Sequence, residues 1–441
     1  MNNRDLPDVG AYGHTPLRET ELGPLPEEWE VVRLASILKP IPKEEREVII
    51  QDENWYSLVT VRLYAKGLVL RSEQQGYKIG TKRLFRLSDG DFVFSRIDAR
   101  NGAWGFVPYH LAGCLVSGDF PILQLNSDIA DQDFIYFALS RPAVWSSLRN
   151  VAIGTTGRKR VRTESLQELL LPLPPLPEQR AIAHVLRSVQ RARETTERVI
   201  AAARELKKSL MRHLFTYGPV PVNQVDGVRL KETEIGPVPE GWEVVQFGEI
   251  VNKRGESVEP SSHRNLPYVG LEHLDPGQAY IVRWGTADNV RSLKSHFYNG
   301  DILYGKLRPY LDKAALAEWD GMCSTDILVF VPNDRALPRF VAYLVHTKRF
   351  IEHAIATTTG VNHPRSSWSA LSKLLIPLPP LSEQRTIADM LRAVDRKIQA
   401  EERRKAALDA LFKTLLHHLM TGKVRVAQGF VQQFHQEVSH E

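Results

Sequence analysis

Gly154 to Arg162 reads GTTGRKRVR. Backbone N–H groups around Thr155 and Thr156, beside the cations of Arg158, Lys159, Arg160 and Arg162, suit phosphate oxygens, and arginine is the commonest reader of guanine edges. A second stretch, TTTGVNHPRSSW, sets His363, Arg365 and Trp368 at the corresponding place. Either loop could be a solvated basic turn. Their recurrence directly before a long helix in both halves of the chain favours a nucleic-acid contact. Arg96, the pair Lys306 and Arg308 in KLRPY, and the pair Lys82 and Arg83 are candidates of second rank.

Catalytic chemistry finds no comparable footing. No GxxxxGK[ST] loop is present, so there is no ATPase signature, and GTTGRKR has the wrong spacing. Each Pro-Pro is followed by Leu, which rules out the Asn/Asp-Pro-Pro-aromatic motif of an adenine methyltransferase. Glu205-Leu206-Lys207 has the E-x-K spacing of a nuclease but falls on a helix, where such a pair is usually a solvated face. His417 and His418 are adjacent on a helix, roughly 100° apart, and cannot share a metal. Binding is the default reading, with no catalytic and no metal residues expected.

The elements that position these residues occur twice. Leu17 to Leu34, LRETELGPLPEEWEVVRL, and Leu230 to Phe247, LKETEIGPVPEGWEVVQF, are identical at 12 of 18 positions. LLPLPPLPEQRAIAHVLRSV, ending at Val189, and LIPLPPLSEQRTIADMLRAV, ending at Val394, share 14 of 20. Between them GDFVFSR matches GDILYGK, and SGDF matches STDI. The offset falls from 213 to 205 and then stays at 205 from Leu170 through Thr216. Two copies of one domain with loops of different length, each followed by a segment of fixed length, give that pattern. The variable parts, about 17 to 169 and 230 to 374, mix short β-rich runs (EVII, YSLVTV, DFVFS, FPILQL; ILYG, DILVFV) with helical DFIYFALS and RFVAYLVH, an α+β pattern.

The fixed-length segments read as helices. The prolines deliver extended chain to a helix start, with Pro177 at the first helical position of one copy and Ser382 as N-cap of the other. Neither Gly nor Pro then appears before Gly218 and Gly422. About 39 residues at ~1.5 Å each make a rod of roughly 57 Å. A heptad seam runs through Ile182, Val185, Val189, Ala192, Thr196, Val199, Ala203, Leu206 and Leu210, broken by Thr196 alone. Its counterpart is Ile387, Met390, Val394, Lys397, Glu401, Arg404, Leu408, Leu411 and Leu415, polar in the middle. Each helix needs a partner, and its own repeat is the nearest one.

The chain has 441 residues, a prior of about three folding units. Its 57 Lys and Arg against 52 Asp and Glu leave +5, and the placement of that charge is informative. Residues 1 to 170 and 216 to 381 are each −1, whereas 178 to 215 carry +5 and 382 to 421 carry +2. The excess lies on the helices, so the globules must rely on a few focused basic loops. Two cysteines, Cys114 and Cys323, build neither a disulfide framework nor a zinc cluster and fit a reducing compartment. With no signal-peptide h-region at MNNRDLPDVG and no run of 18 apolar residues, the expectation is a cytoplasmic protein with no membrane contact.

Twice ETE[LI]GP-[LV]PE-x-WEV, twice a GD strand and twice [LI]PLPPL-x-EQR running into a long helix make the chain resemble the specificity subunit of type I restriction-modification systems, over almost its whole length and in the family's order. The resemblance implies an α+β fold of two globular target-recognition domains joined by two long antiparallel coiled-coil helices, a pseudo-two-fold internal repeat. On this sequence the parts fall at 1–171 (recognition domain 1), 172–217 (helix 1), 218–376 (recognition domain 2), 377–421 (helix 2) and 422–441, a tail with no assigned role.

The resemblance also implies function. Each recognition domain reads one half of an asymmetric, bipartite site in double-stranded DNA, and the helices fix a spacer of about one helical turn and dock two methylation subunits, with restriction subunits joining. The chain itself binds no cofactor, and S-adenosylmethionine, ATP and Mg2+ belong to those partners. Thr196 is expected near Lys397, Glu401 and Arg404, as a polar layer or a docking point. The competing readings are a fragment of a fused nuclease-methyltransferase, for which 441 residues leave no room, and an architectural or non-specific DNA-binding coiled-coil protein.

Overall fold

Two glycine-aspartate steps lead into the central strands, and both work the same way. The computed structural model describes residues 16–153, 159–360 and 362–434. Gly90 and Gly300 turn with φ of 76° and 94°, where a Cβ would be strained. The next carboxylate caps the turn: Asp91 accepts from the Ser88 N–H at 2.7 Å, and Asp301 from the Tyr298 N–H at 2.8 Å. Each aspartate, nearly buried, also holds an arginine, Arg46 at 3.1 Å and Arg254 at 2.8 Å. Burial pushes the Asp91 carboxyl up from its ordinary pKa, against the pull of Ser88 and Arg46. The motif is repeated because a buried carboxylate must be satisfied in each copy.

The described residues divide into two units, those of 16–196 with 404–434, and those of 197–403. In the first, a four-stranded sheet runs in the order Trp104–Phe106, Phe92–Phe94, Ile122–Leu125, Leu38–Pro40, and a five-stranded sheet in the order Glu47–Ile49, Arg83–Arg86, Leu115–Val116, Trp55–Val61, Leu68–Gln75. The second has the same two orders: Ala314–Leu316, Ile302–Gly305, Ile327–Pro332, Val251–Lys253, and Ser257–Val258, Lys294–Phe297, Gly321–Cys323, Pro267–Val269, Gly285–Thr286. Even the parallel pair recurs, Leu115 on Leu58 and Tyr268 on Met322. Short helices, Gln132–Leu139 and Pro338–Leu344 among them, pack on the sheets. The fold class is therefore α+β, as the repeat pattern predicts.

The two strongest sequence motifs meet each other. The WEVV strand of each copy pairs antiparallel with the LPL segment, Glu30–Arg33 on Leu170–Leu173 and Glu243–Gln246 on Leu375–Leu378. Buried Trp29 and Trp242 donate their indole N–H to the glutamate of EQR, Glu178 at 3.1 Å and Glu383 at 2.9 Å. The neighbouring glutamine closes the joint. Gln179 accepts from the Asp131 N–H at 2.9 Å and donates to the Pro174 and Ile129 carbonyls, and Gln384 does the same with Leu337, Pro379 and Arg335. Proline strands lack N–H donors, so side chains must complete the network.

From these joints run helices Leu176–Tyr217 and Leu381–Met420; both begin earlier than the sequence suggests, so Pro177 is the second residue of the first and Ser382 lies inside the second, not at its cap. In each unit the helix segments pair antiparallel. In the first, Arg193 meets Asp409 at 2.6 Å and stacks on Phe412, while Ile182 and Leu186 share a core with Leu419 and Met420. In the second, Arg204 meets Glu402 and Lys207 meets Asp395, each at 2.7 Å, and Leu214 shares a core with Ile387 and Leu391.

The heptad reading places the seam correctly only in part. Ile182, Val189, Thr196 and Ile387 are buried, and Leu210 and Val394 half-buried. Leu206, however, is 57% exposed and its neighbour Lys207 is buried; Leu411 is 43% and Met390 40% exposed, with Leu391 buried. A straight helix of 3.6 residues per turn drifts about 20° per heptad against a 3.5 repeat, so the buried stripe steps over to the next residue. Arg404 and Lys397 are exposed, Lys397 pairing with buried Glu401 one turn on, and Thr196 gives its hydroxyl to the Ala192 carbonyl at 2.8 Å.

The tail beyond the second helix folds onto its own unit. Arg425 donates through Nε and Nη2 to Glu178, both at 2.8 Å, and to Glu28 at 2.7 Å. These bonds raise the guanidinium pKa against the cost of its burial, so it stays charged. Phe430 and Phe434 flank the His184 ring, and Val426 and Val431 enter the core. The described part of the segment to which the sequence assigns no role, 422–434, is thus a strap over the first joint.

Candidate nucleic-acid interface

In each unit two of the basic candidates are tied to one aspartate, one through its backbone N–H and the other through its guanidinium. In the first, the Arg96 N–H donates to the Asp119 carbonyl at 3.0 Å and the Arg96 carbonyl accepts from the Val161 N–H at 2.8 Å. This brings Arg160, paired with Ile153 in an isolated bridge, alongside Asp119. Its Nε and Nη2 each bond one carboxylate oxygen at 3.2 Å. In the second, the Lys306 N–H donates to the Asp326 carbonyl at 3.0 Å, the Lys306 carbonyl accepts from the Ser366 N–H at 2.9 Å, and Arg365 bridges Thr359. Arg365 Nε lies 3.3 Å from the Asp326 carboxylate, while Lys306 Nζ donates to the Thr325 carbonyl at 2.6 Å.

The same cluster thus forms in both copies, Arg96–Asp119–Arg160 in one and Lys306–Asp326–Arg365 in the other. Its basic members are sequence candidates; its aspartates are not. They sit in SGDF and STDI, whose match at offset 207 was the available signal. The Arg160–Asp119 pair is about half exposed (50% and 39%), as is Arg365–Asp326 (46% and 32%). Exposed pairs of this kind contribute about 0–1 kcal/mol to folding.

Other candidates are placed less tightly. Thr155, Thr156 and Arg158 lie outside the described residues. Lys159 and Arg162 are exposed beside the cluster, Arg162 leading into the helix Thr163–Gln167. Arg308 is exposed with φ of 52°, its N–H on the Pro364 carbonyl at 2.8 Å, and it starts the turn Pro309–Leu311 that exposes Tyr310. Asp312, also left-handed, closes that turn and is held by buried His346 at 2.6 Å. The matching position of the first copy, Gly102, has φ of 69° and needs no such clamp. His363 is exposed, whereas Trp368 packs on Phe247 and Phe330 and belongs to the core. Lys82 and Arg83 are taken up by Asp52 and Glu47.

The family model for the type I restriction modification DNA specificity domain matches this chain twice, at residues 26–204 and 239–410. The chain belongs to that family. Each match contains one complete cluster, one tryptophan–glutamate joint and the start of one long helix. The chain is 25% identical over 425 residues to the type I restriction enzyme MjaVIII specificity subunit of Methanocaldococcus jannaschii, covering 91% of this chain and 94% of that protein. It is 25% identical over 426 residues to the putative MjaX specificity subunit of the same organism, covering 94% and 98%. In fold it is similar to the type I restriction-modification S subunit from M. genitalium, with a TM-score of 0.57 at 17% identity over 94% of this chain and 99% of that one. It is a type I specificity protein with two DNA specificity domains. Among the described residues, no helix is long and apolar enough to cross a membrane and no group of side chains could hold a metal ion.

Proposed function

We propose that this specificity protein reads a bipartite site in double-stranded DNA, one half with the Arg96–Asp119–Arg160 face and the other with the Lys306–Asp326–Arg365 face. The observation that carries this reading is the recurrence of one cluster, built from the same backbone bonds, on two domains whose loops differ. Like placement gives two readers; unlike loops give two different half-sites. Lys159, Arg162, Arg308 and His363 supply flanking phosphate contacts, which position the protein without carrying sequence information. The long helices fix the spacer.

The helices also receive the catalytic partners. Leu206 and Leu411 stand at corresponding places 205 residues apart, both large, apolar and exposed, where a packed seam would have covered them. They mark the surface on which two methylation subunits dock, with Thr196, Lys397, Glu401 and Arg404 supplying polar contacts; restriction subunits complete the assembly. The chain supplies recognition and no chemistry. S-adenosylmethionine serves the methylation subunits, and ATP with Mg2+ the restriction subunits, in the cytoplasm.

Selection of bound fragments from a random DNA pool, using the full chain with its cognate methylation subunit at two salt concentrations, tests this reading. It expects one enriched motif of two short blocks separated by a constant gap. Sequence-independent binding that collapses with salt would make the protein an architectural one instead.

A further inference from the structure

The geometry points to Arg160 and Arg365 as guanine readers, one in each half-site, with Asp119 and Asp326 as the positioning residues that aim them. This assignment rests on the recognition reading above and goes beyond it by naming a base and the atoms that read it. An arginine has two bonding edges: a side edge of Nε and one Nη, and an end edge shared by the two Nη groups. Asp119 occupies the side edge of Arg160 with both carboxylate oxygens, and among the described residues that guanidinium bonds Asp119 alone. The end edge points away from its holder, and its two parallel N–H groups match O6 and N7 of guanine in the major groove. Asp326 takes the Nε of Arg365 and leaves the corresponding edge.

Charge separates this reading from a phosphate clamp. A clamp gains from uncompensated positive charge, and a carboxylate at 3.2 Å opposes the approach of a phosphate. Reading a neutral base edge gains from direction instead, which Asp119 supplies by holding Arg160 at both Nε and Nη2 and Asp326 supplies to Arg365 through Nε alone. Nor does folding account for the pairs, since both are half exposed and add little to stability. The backbone bonds point the same way: Asp119 and Asp326 each accept, through their carbonyls, the N–H of the residue (Arg96 or Lys306) whose carbonyl in turn accepts from the residue following the reader, Val161 or Ser366. One residue thereby ties down both the chain just after the reader and the aim of its arginine.

The pool selection decides it, with the full chain and its methylation subunit in wild-type, R160K, R365K and D119N forms. The wild-type motif should hold a guanine in each block. R160K keeps the charge and loses the fork, and should relax one guanine in one block by roughly 10- to 100-fold while the other block stays as it was. R365K should do so in the other block, and D119N should relax the position that R160K relaxes, a base-specific readout that loss of folding would not produce. A block without guanine, or substitutions that leave every position intact or weaken all positions alike with a shallower salt dependence, would overturn the assignment and make these residues phosphate contacts. An unpatterned wild-type pool would defeat the recognition reading itself.

Discussion

The two joints between domain and helix are the same at their ends and opposite in their middles. At the ends, Trp29 with Glu178 and Gln179 repeats as Trp242 with Glu383 and Gln384. In the middle, the first unit sets Phe137 against Phe412 at 6.0 Å between ring centres. Counting along the helices from the two glutamines, the second has Lys207 in the place of Phe412, and counting from Asp131 and Leu337, whose N–H groups those glutamines accept, it has Tyr343 in the place of Phe137. Asp395, where the first copy has Gln190, joins them, pairing with Lys207 at 2.7 Å and accepting from the Tyr343 hydroxyl at 2.7 Å. Lys207 also donates to the Gly277 carbonyl at 2.9 Å. Burial and the Asp395 charge push the tyrosine pKa far up, which keeps it a donor. One geometry therefore accepts an aromatic pair or a satisfied charge network, so the ends specify the joint and the middle is open to variation.

The largest effects should come from the shared ends. Trp29→Ala and Trp242→Ala each remove a buried indole and strand a glutamate, and should cost about 3–5 kcal/mol by denaturant titration. Unequal losses would show that the ends are not equivalent. Asp395→Ala leaves Lys207 buried without its counter-charge and should cost about 3–5 kcal/mol, whereas Gln190→Ala in the first unit should cost about 0.5 kcal/mol or less. Transplanting the aromatic solution, with K207F, Y343F and D395Q together, should be neutral or stabilising by about 1–4 kcal/mol, because buried ion networks are seldom better than packed apolar groups. A triple variant as unstable as Asp395→Ala would mean that the charges specify the joint.

Smaller effects sharpen the contrast. Arg425→Ala should loosen the tail strap and cost about 1–3 kcal/mol through the bonds lost to Glu178, with hydrogen exchange rising in the first unit and unchanged in the second. Asp409 gives the least. Burial raises its pKa, but Lys405 and Arg193 outweigh this and hold it below the ordinary value. Its stabilisation is thus present above the usual carboxylate range and lost as pH falls through the depressed folded pKa. Asp409→Asn should remove that part of the acid sensitivity and, for so exposed a pair, lower stability by about 1 kcal/mol at most.

What could be read in the sequence follows the range of the interactions. The α+β class and the helix starts are written locally, in alternation, proline runs and stretches of 40 and 41 residues free of Gly and Pro. The phase of the helix pairing is not: Leu206 looks like seam and Lys207 like surface until Asp395, 188 residues away, supplies the counter-charge. The candidate site divides the same way. Arg160 and Arg365 are visible as basic residues in recurring loops. That Asp119 would hold one from 41 residues back, and Asp326 the other from 39, is a tertiary fact that SGDF and STDI mark as a repeat without explaining. The tail was silent because Arg425 meets Glu178 across 247 residues.

Two unlike domains in one chain should read two unlike half-sites. Sequencing N6-methyladenine across the genome of a methylation-free host that co-expresses the chain with its methylation subunit tests it directly. The account predicts a single motif of two different blocks with an invariant gap, methylated in both blocks. Methylation at scattered adenines, or within one uninterrupted block, would contradict it.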